Sequence, residues 1–390
     1  MQKNNIYQQS LKYHQKFHGK IATEIKTKLD NVNDLSLAYT PGVAEPCRQI
    51  HKNPEDVYKY TIKGNMVAVI SDGSAVLGLG NIGALAAIPV MEGKAALFKK
   101  IGGVDAFPIC LQSQDVVKNI ETIKNIAPVF GGINLEDFKA PQCFEIEQAL
   151  QNLGIPVVHD DQHGTAIVLL AGLTNALKVV DKKLNDVKIV VSGVGAAGTA
   201  IIKLLVMAGC DGKRILACDT TGIIYTGRPD LAENKFKNEI ASLTNLQKIQ
   251  GDLTVAILGA DVFVGVSKGN ILTAEMAKSM NKKAIIFVMA NPTPEIDPVL
   301  AKKCGAMVVA TGRSDFPNQV NNALVFPGLF RGLLDCRAVK LTDKMKIAAA
   351  RALAGVIKKP TASKILPPVF DKCAARAVAK AIIASAPSMN

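Results

Sequence analysis

The stretch VKIVVSGVGAAGTAIIKLL (187–205) constrains this chain more than any other. Its apolar run 187–191 reads as a buried strand, and the apolar periodicity after Gly198 reads as a helix. Between them stand Gly193, Gly195 and Gly198. In such a loop the first glycine permits the sharp turn and the second lets backbone approach a pyrophosphate. The third lets helix and strand pack closely. Ala196 and Ala197 open the helix, whose free N–H groups and positive dipole end suit a phosphate. Asp219 closes the next apolar run, 21 residues beyond Gly198, where a carboxylate accepts hydrogen bonds from the adenine ribose. That carboxylate would repel a 2′-phosphate. Thr220, Thr221 and Gly222 supply no cation, and Arg228 is the first arginine afterwards. The reading favours NAD, with NADP as the alternative.

A chain of 390 residues is expected to divide. Over 1–163, apolar runs at 66–70, 106–110, 129–134 and 156–159 read as strands, with helices at 88–100 and 115–126 between them. Strands alternating with helices imply an α/β unit with a largely parallel sheet. A helix from Gly164 leads into a second unit, 164–330, with strand candidates at 214–218, 255–258, 285–289 and 307–310. Helices at 340–354 and 369–384 fill a closing segment, 331–390. The expected fold is therefore α/β: an N-terminal α/β domain, a Rossmann-like doubly wound nicotinamide domain, and closing helices.

The net charge of +13 does not imply nucleic acid, because the lysines are dispersed, not interleaved with aromatics, and Trp is absent. A basic surface also draws anionic substrates and cofactors. Apolar runs such as 166–173 and 284–290 fall short of the ~20 residues of a membrane span. The polar N-terminus does not resemble a secretory signal. Eight scattered cysteines without a CxxC pair suit reduced thiols, so a cytoplasmic location is expected.

Two acidic pairs end strand candidates: Glu136-Asp137 after 129–134, and Asp160-Asp161 after 156–159. Carboxylates at strand ends face the cleft where α/β folds bind ligands. Several converging there require a cation, and oxygen ligands suit Mg2+ or Mn2+. A rival is zinc on His159 and His163; that i,i+4 spacing needs a helix across 160–163, where the pattern reads as strand end.

Several short motifs in order resemble those of malic enzymes: Tyr39-Thr40-Pro41-Gly42, Asp72-Gly73 through Gly83, Glu92-Gly93-Lys94, Asn134 to Phe138, and His159 to Thr165. Asn291-Pro292-Thr293-Pro294-Glu295 and Gln319-Val320-Asn321-Asn322 with Phe326-Pro327-Gly328 continue the series. The resemblance runs from about residue 10 to the C-terminus. It implies oxidative decarboxylation of malate to pyruvate and CO2 with NAD(P), dependent on a divalent metal, in a homodimer or larger homo-oligomer. It further implies Tyr39 as general acid, Lys94 as general base, and Glu136, Asp137 and Asp161 as metal ligands. Asp160 would support the lysine or the metal; Asn291 and one of Asn321 and Asn322 would hold malate. Larger relatives carry arginine where this chain has Ala75, which leaves Ser74 or main-chain N–H groups for the second carboxylate.

The implied chemistry asks for a base at the C2 hydroxyl, and burial beside a cation would have to lower the pKa of Lys94 for that task. Competing readings are an amino-acid dehydrogenase, a malolactic-type enzyme that releases lactate, and a nicotinamide-sensing binding protein. The first needs no metal and leaves Glu136, Asp137 and Asp161 without a task.

Overall fold

The computed structural model describes residues 2–76 and 78–387. A four-stranded parallel sheet holds β1 (Met66–Ser71), β2 (Asp105–Cys110), β3 (Gly132–Leu135) and β4 (Val157–His159) in the order β2-β1-β3-β4. The second sheet holds β5 (Ile189–Ser192), β6 (Ile215–Asp219), β7 (Gly222–Ile223), β8 (Val262–Gly265), β9 (Ile285–Val288) and β10 (Val308–Thr311). Their order is β10-β9-β8-β5-β6-β7, parallel except for β7. The order reverses at β5, between β8 and β6, which is where an open α/β sheet leaves a crevice for ligands. The α/β architecture with a doubly wound second sheet is thus as expected.

Several local expectations are corrected. The run 255–258 is not a strand; Asp252 caps a helix, Leu253–Ile257, by accepting from the N–H groups of Thr254 and Val255. The strand in that region is β8, only four residues long. In 129–134, Val129 closes a single helical turn and β3 begins at Gly132. The helix expected at 88–100 starts earlier, at Gly83, and ends in one wider turn, Phe98–Gly102. The closing helices run Asp343–Gly355 and Lys372–Ser385, and a further helix, Phe326–Asp335, precedes them.

The largest correction concerns the helix Asp160–Val180, which begins four residues before Gly164. Asp160 and Asp161 occupy its first turn, where carboxylates are stabilised by the dipole. It has the length and apolar composition of a membrane span, yet 72% of its most apolar window is buried inside the fold as core. The boundary expected at 163/164 therefore falls within a continuous helix. The helix packs against Ala196–Met207 and Asp343–Gly355 and carries the first strand end into the second sheet's core.

Asn175, fully buried on this helix, donates from Nδ2 to the carbonyls of Ala354 and Ile365, both at 2.9 Å. Replacing it leaves two buried carbonyls without a donor. Asn175→Ala is expected to lower unfolding free energy by about 2 kcal/mol, measured by urea denaturation, with the fold retained.

Candidate functional site

The glycine loop joins β5 to the helix Ala196–Met207. Gly193 has φ +105°, and a Cβ on Gly198 would stand 1.8 Å from the Gly193 carbonyl oxygen. Gly195 faces open space, with nothing within 4 Å of a Cβ placed there. Ala196 and Ala197 begin the helix Ala196–Met207 behind it.

Asp219 departs from expectation. Its Oδ1 accepts from Arg228 Nη1 and from the Thr221 N–H, each at 3.0 Å. Its Oδ2 accepts from Arg228 Nη2 and Lys237 Nζ, each at 2.6 Å. Burial works to raise its pKa, but Arg228 and Lys237 hold it at about 2. Two cations therefore stand where the sequence showed none, because both come from the segment beyond β7. Lys237 also lines the crevice with Gly193, Gly195 and Asp219.

A neighbouring cleft of about 680 Å3 joins the two sheets. Asp137, Asp161, Gly195, Ala196, Ala197, Asn291, Asn321 and Asn322 all line it, although they come from five separate stretches of sequence. Glu136, Lys94 and Asp160 stand one layer behind. Lys94, on the helix Gly83–Leu97, is 7% exposed. Its Nζ donates to Asp160 Oδ2 at 2.5 Å and Glu136 Oε1 at 2.7 Å, and lies 4.1 Å from the centre of the Phe326 ring. Burial opposes the ammonium, yet Asp160, Glu136 and Asp161 raise its pKa overall. These carboxylates thus favour the protonated lysine.

Glu136, Asp137 and Asp161 each offer an oxygen, and these lie within 4.8 Å of one another. Asp137 adopts φ +56°, a left-handed conformation that aspartate tolerates better than most residues, and its N–H donates to Asp161 Oδ2 at 3.0 Å. Burial raises the pKa of Glu136, Asp160 and Asp161, with repulsion among the carboxylates adding and Lys94 subtracting. Glu136, Asp160 and Asp161 around one ammonium leave an excess of negative charge that burial makes costly. An oxygen-only set with that excess fits a hard divalent cation. It does not fit zinc. The helix does cover 160–163, so the spacing argument against His159 and His163 was misplaced. They do not converge on one point: His163 Nε2 is bound to Glu147 Oε1 at 2.9 Å, whereas His159, fully buried and without a side-chain hydrogen bond, has its Nε2 3.8 Å from Asp161 Oδ2.

Glu147, which the sequence reading missed, anchors this corner. It accepts from the His159 N–H at 2.9 Å and from Gln162 Nε2 at 3.1 Å, besides His163. Burial would raise its pKa, but His163 and His159 hold it at about 2. No local pattern marks it, since its partners lie 12 to 16 residues away. Of the two candidate asparagines, Asn321 spends its amide oxygen on the Ala323 N–H at 2.9 Å. Asn322 makes no side-chain hydrogen bond among the described residues. Ser74 accepts from the Lys139 N–H at 3.0 Å, and the exposed Lys139 side chain lines the cleft beside Ala75. Tyr39 alone stands apart: it is 66% exposed and does not line the cleft.

A dinucleotide loop opening onto such a cleft defines the class, a nicotinamide-dependent α/β oxidoreductase. Family profiles for the malic enzyme N-terminal domain and the malic enzyme NAD binding domain match residues 18–119 and 162–386. A bifunctional malic/malolactic enzyme of Bacillus subtilis is 54% identical over 98% of this chain and 93% of its own length. An NADP-dependent malic enzyme of Escherichia coli is 50% identical over 90% of this chain and 46% of its own. The crystal structure of an NAD-dependent malic enzyme from Thermotoga maritima superposes with a TM-score of 0.93 at 49% identity, covering 96% of this chain and 99% of that one. The chain belongs to the malic enzyme family.

Two outcomes test this geometry. A Cβ on Gly164 would stand 1.9 Å from Asp160 Oδ1. Gly164→Ala should therefore cut kcat more than about tenfold by displacing Asp160 from Lys94, although alanine favours a helix by up to ~1 kcal/mol; kcat within threefold of wild type would show that the Asp160 position is not needed. Lys237→Ala exposes the Asp219 charge, so kcat/KM for NADP should fall about tenfold relative to NAD, a ~1.4 kcal/mol change in discrimination.

Proposed function

We infer that the chain oxidises and decarboxylates (S)-malate to pyruvate and CO2 while reducing NAD or NADP. The observation that carries this reading is the meeting of the glycine loop and the carboxylate set on one cleft. Glu136, Asp137 and Asp161 are the residues to hold Mg2+ or Mn2+. Such a cation supplies Lewis-acid polarisation of the substrate's oxygens when bound. Gly193, Gly195, Ala196, Ala197 and Gly198 receive the cofactor pyrophosphate. Asp219 fixes the ribose edge, and the cations beside it make the preference for NAD over NADP smaller than a lone aspartate would give.

Lys94 takes the C2 hydroxyl proton after passing its own to Asp160, the carboxylate it touches; a cation held by Glu136, Asp137 and Asp161 would offset the negative charge that otherwise keeps the lysine protonated. Tyr39 returns a proton to C3. Asn322, with its free amide, and Asn291 orient malate. Lys139 answers the question left by Ala75: its ammonium at the cleft wall is the cation for the second carboxylate. We assign the substrate- and metal-binding part to 1–163, the nucleotide part to 164–330 and the closing helices to 331–390, with the helix Asp160–Val180 shared across the first boundary. A cytoplasmic setting suits the eight unpaired cysteines. A malolactic outcome, in which lactate leaves, is the second reading, favoured by the activity named for the Bacillus subtilis relative.

One assay tests the reading: malate with NAD or NADP, with and without divalent metal, quantifying pyruvate and lactate. Pyruvate with stoichiometric reduced cofactor is expected, abolished by a chelator. Asp161→Ala should lose more than about a hundredfold in turnover while still binding NADH. Undiminished turnover of that variant in chelator-treated buffer would end the metal assignment.

A further inference from the structure

The helix Asp160–Val180 separates two cavities. Residues three or four apart share a helix face. Asp161, Thr165 and Val168 accordingly line the cleft already described, while Gln162, His163 and Ala166 line a second cavity of about 600 Å3. The helix Ala196–Met207 is divided in the same way. Ala196 and Ala197 at its start face the cleft, whereas Thr199, Ala200 and Lys203 face the second cavity. The remaining walls come from the helices Gln142–Ala149 and Lys235–Leu243 and from the start of Asp343–Gly355. A volume of this size suits a small organic molecule, for which pockets run from roughly 300 to 1,000 Å3. None of the residues assigned to malate, metal or nicotinamide lines it.

The chemistry of these walls selects the ligand. Lys203 Nζ meets Glu239 at 2.6 Å, and Lys346 Nζ meets Asp343 at 3.0 Å. In both pairs the lysine is the deeper partner. The side chains of Lys203 and Lys346 are 32% and 14% exposed, those of Glu239 and Asp343 48% and 59%. Ion pairs this open to water contribute about 1 kcal/mol or less. An acidic group of a ligand can therefore take over both ammonium ions while the rim carboxylates turn to solvent. The third carboxylate of the wall, Glu147, is already engaged by His163, Gln162 and the His159 N–H. Apolar surface stands beside the lysines: Leu204, Met207, Leu243, Leu341, and the rings of Phe144 and Phe236 with centres 4.5 Å apart. Met207 is 40% exposed, and its unbranched thioether adapts its shape to a guest.

We propose that this cavity is an effector site for an organic anion with an apolar or aromatic body, a carboxylate or phosphate ester whose acidic group meets Lys203 and Lys346. Such a ligand bears on the reaction because it packs against the same helical turns that present Asp161, Ala196 and Ala197 to the cleft. Its binding and that of the substrate are then linked, and the linkage is reciprocal.

Titration calorimetry with 2-naphthoate as the probe tests it, on protein saturated with NADH and malate so that the crevice and the cleft are already filled. Binding of one naphthoate per chain is expected, and no binding overturns the proposal. Lys203→Glu combined with Lys346→Glu should weaken that binding about tenfold or more, with thermal unfolding and probe-free malate oxidation unchanged. Met207→Trp fills the cavity from an exposed position and should do the same, so the test survives if the double variant misfolds. A naphthoate that binds these variants as tightly as wild type lies elsewhere and overturns the site. The effector role is read from kcat/KM for malate, which saturating naphthoate should change about fivefold or more in wild type and leave alone in Met207→Trp. An unchanged value in wild type, or an equal change in both proteins, overturns it.

Discussion

The structure depends on a buried imbalance of charge. Glu136, Asp160 and Asp161 gather around the ammonium of Lys94, with Asp137 beside Asp161. Carboxylates so placed repel one another, and burial removes the water that would screen them. Much of the surrounding architecture softens that cost. The first turn of Asp160–Val180 lends its dipole, the Asp137 N–H donates to Asp161, and Asn134 Nδ2 donates to Glu136 Oε2 at 2.9 Å. What remains is a deficit of positive charge, which is why the site suits a dication and why Lys94 stays charged without one.

The second sheet deals with charge differently. Asp219 is fully compensated inside the protein by Arg228 and Lys237, and Arg228 in turn holds Asp230 at 2.7 Å. The ribose end of the crevice is thus locally neutral, whereas the catalytic end is strongly negative. The two ends of the site therefore differ in electrostatic character although one cleft system joins them.

Much of this was legible in the sequence, for identifiable reasons. The strand–turn–helix at 187–205 was legible because a positive φ at Gly193 and the close approach at Gly198 each demand glycine. Strands β1, β2, β4, β5, β6, β9 and β10 were visible as apolar runs with no rival apolar run beside them. Strand β8 was lost because its four residues compete with the apolar Leu253–Ile257, which the Asp252 cap makes helical. The helix at Asp160 was started late because Gly164 looks like a break; here it makes room for the Asp160 carboxylate. Glu147 and Lys237 were illegible in principle, since each matters only through partners that folding brings from elsewhere.

The helix Asp160–Val180 starts directly at the end of β4, and farther along it Asn175 reaches the carbonyls of Ala354 and Ile365. Glu136 and Asp137 follow the end of β3, the strand paired with β4, and Leu135 stands opposite His159. The three oxygens are therefore supplied by the ends of two adjacent paired strands, and their spacing is ruled by backbone register. A gap of that kind is held by ladder hydrogen bonds, so it keeps its width whatever the side chains at its rim do.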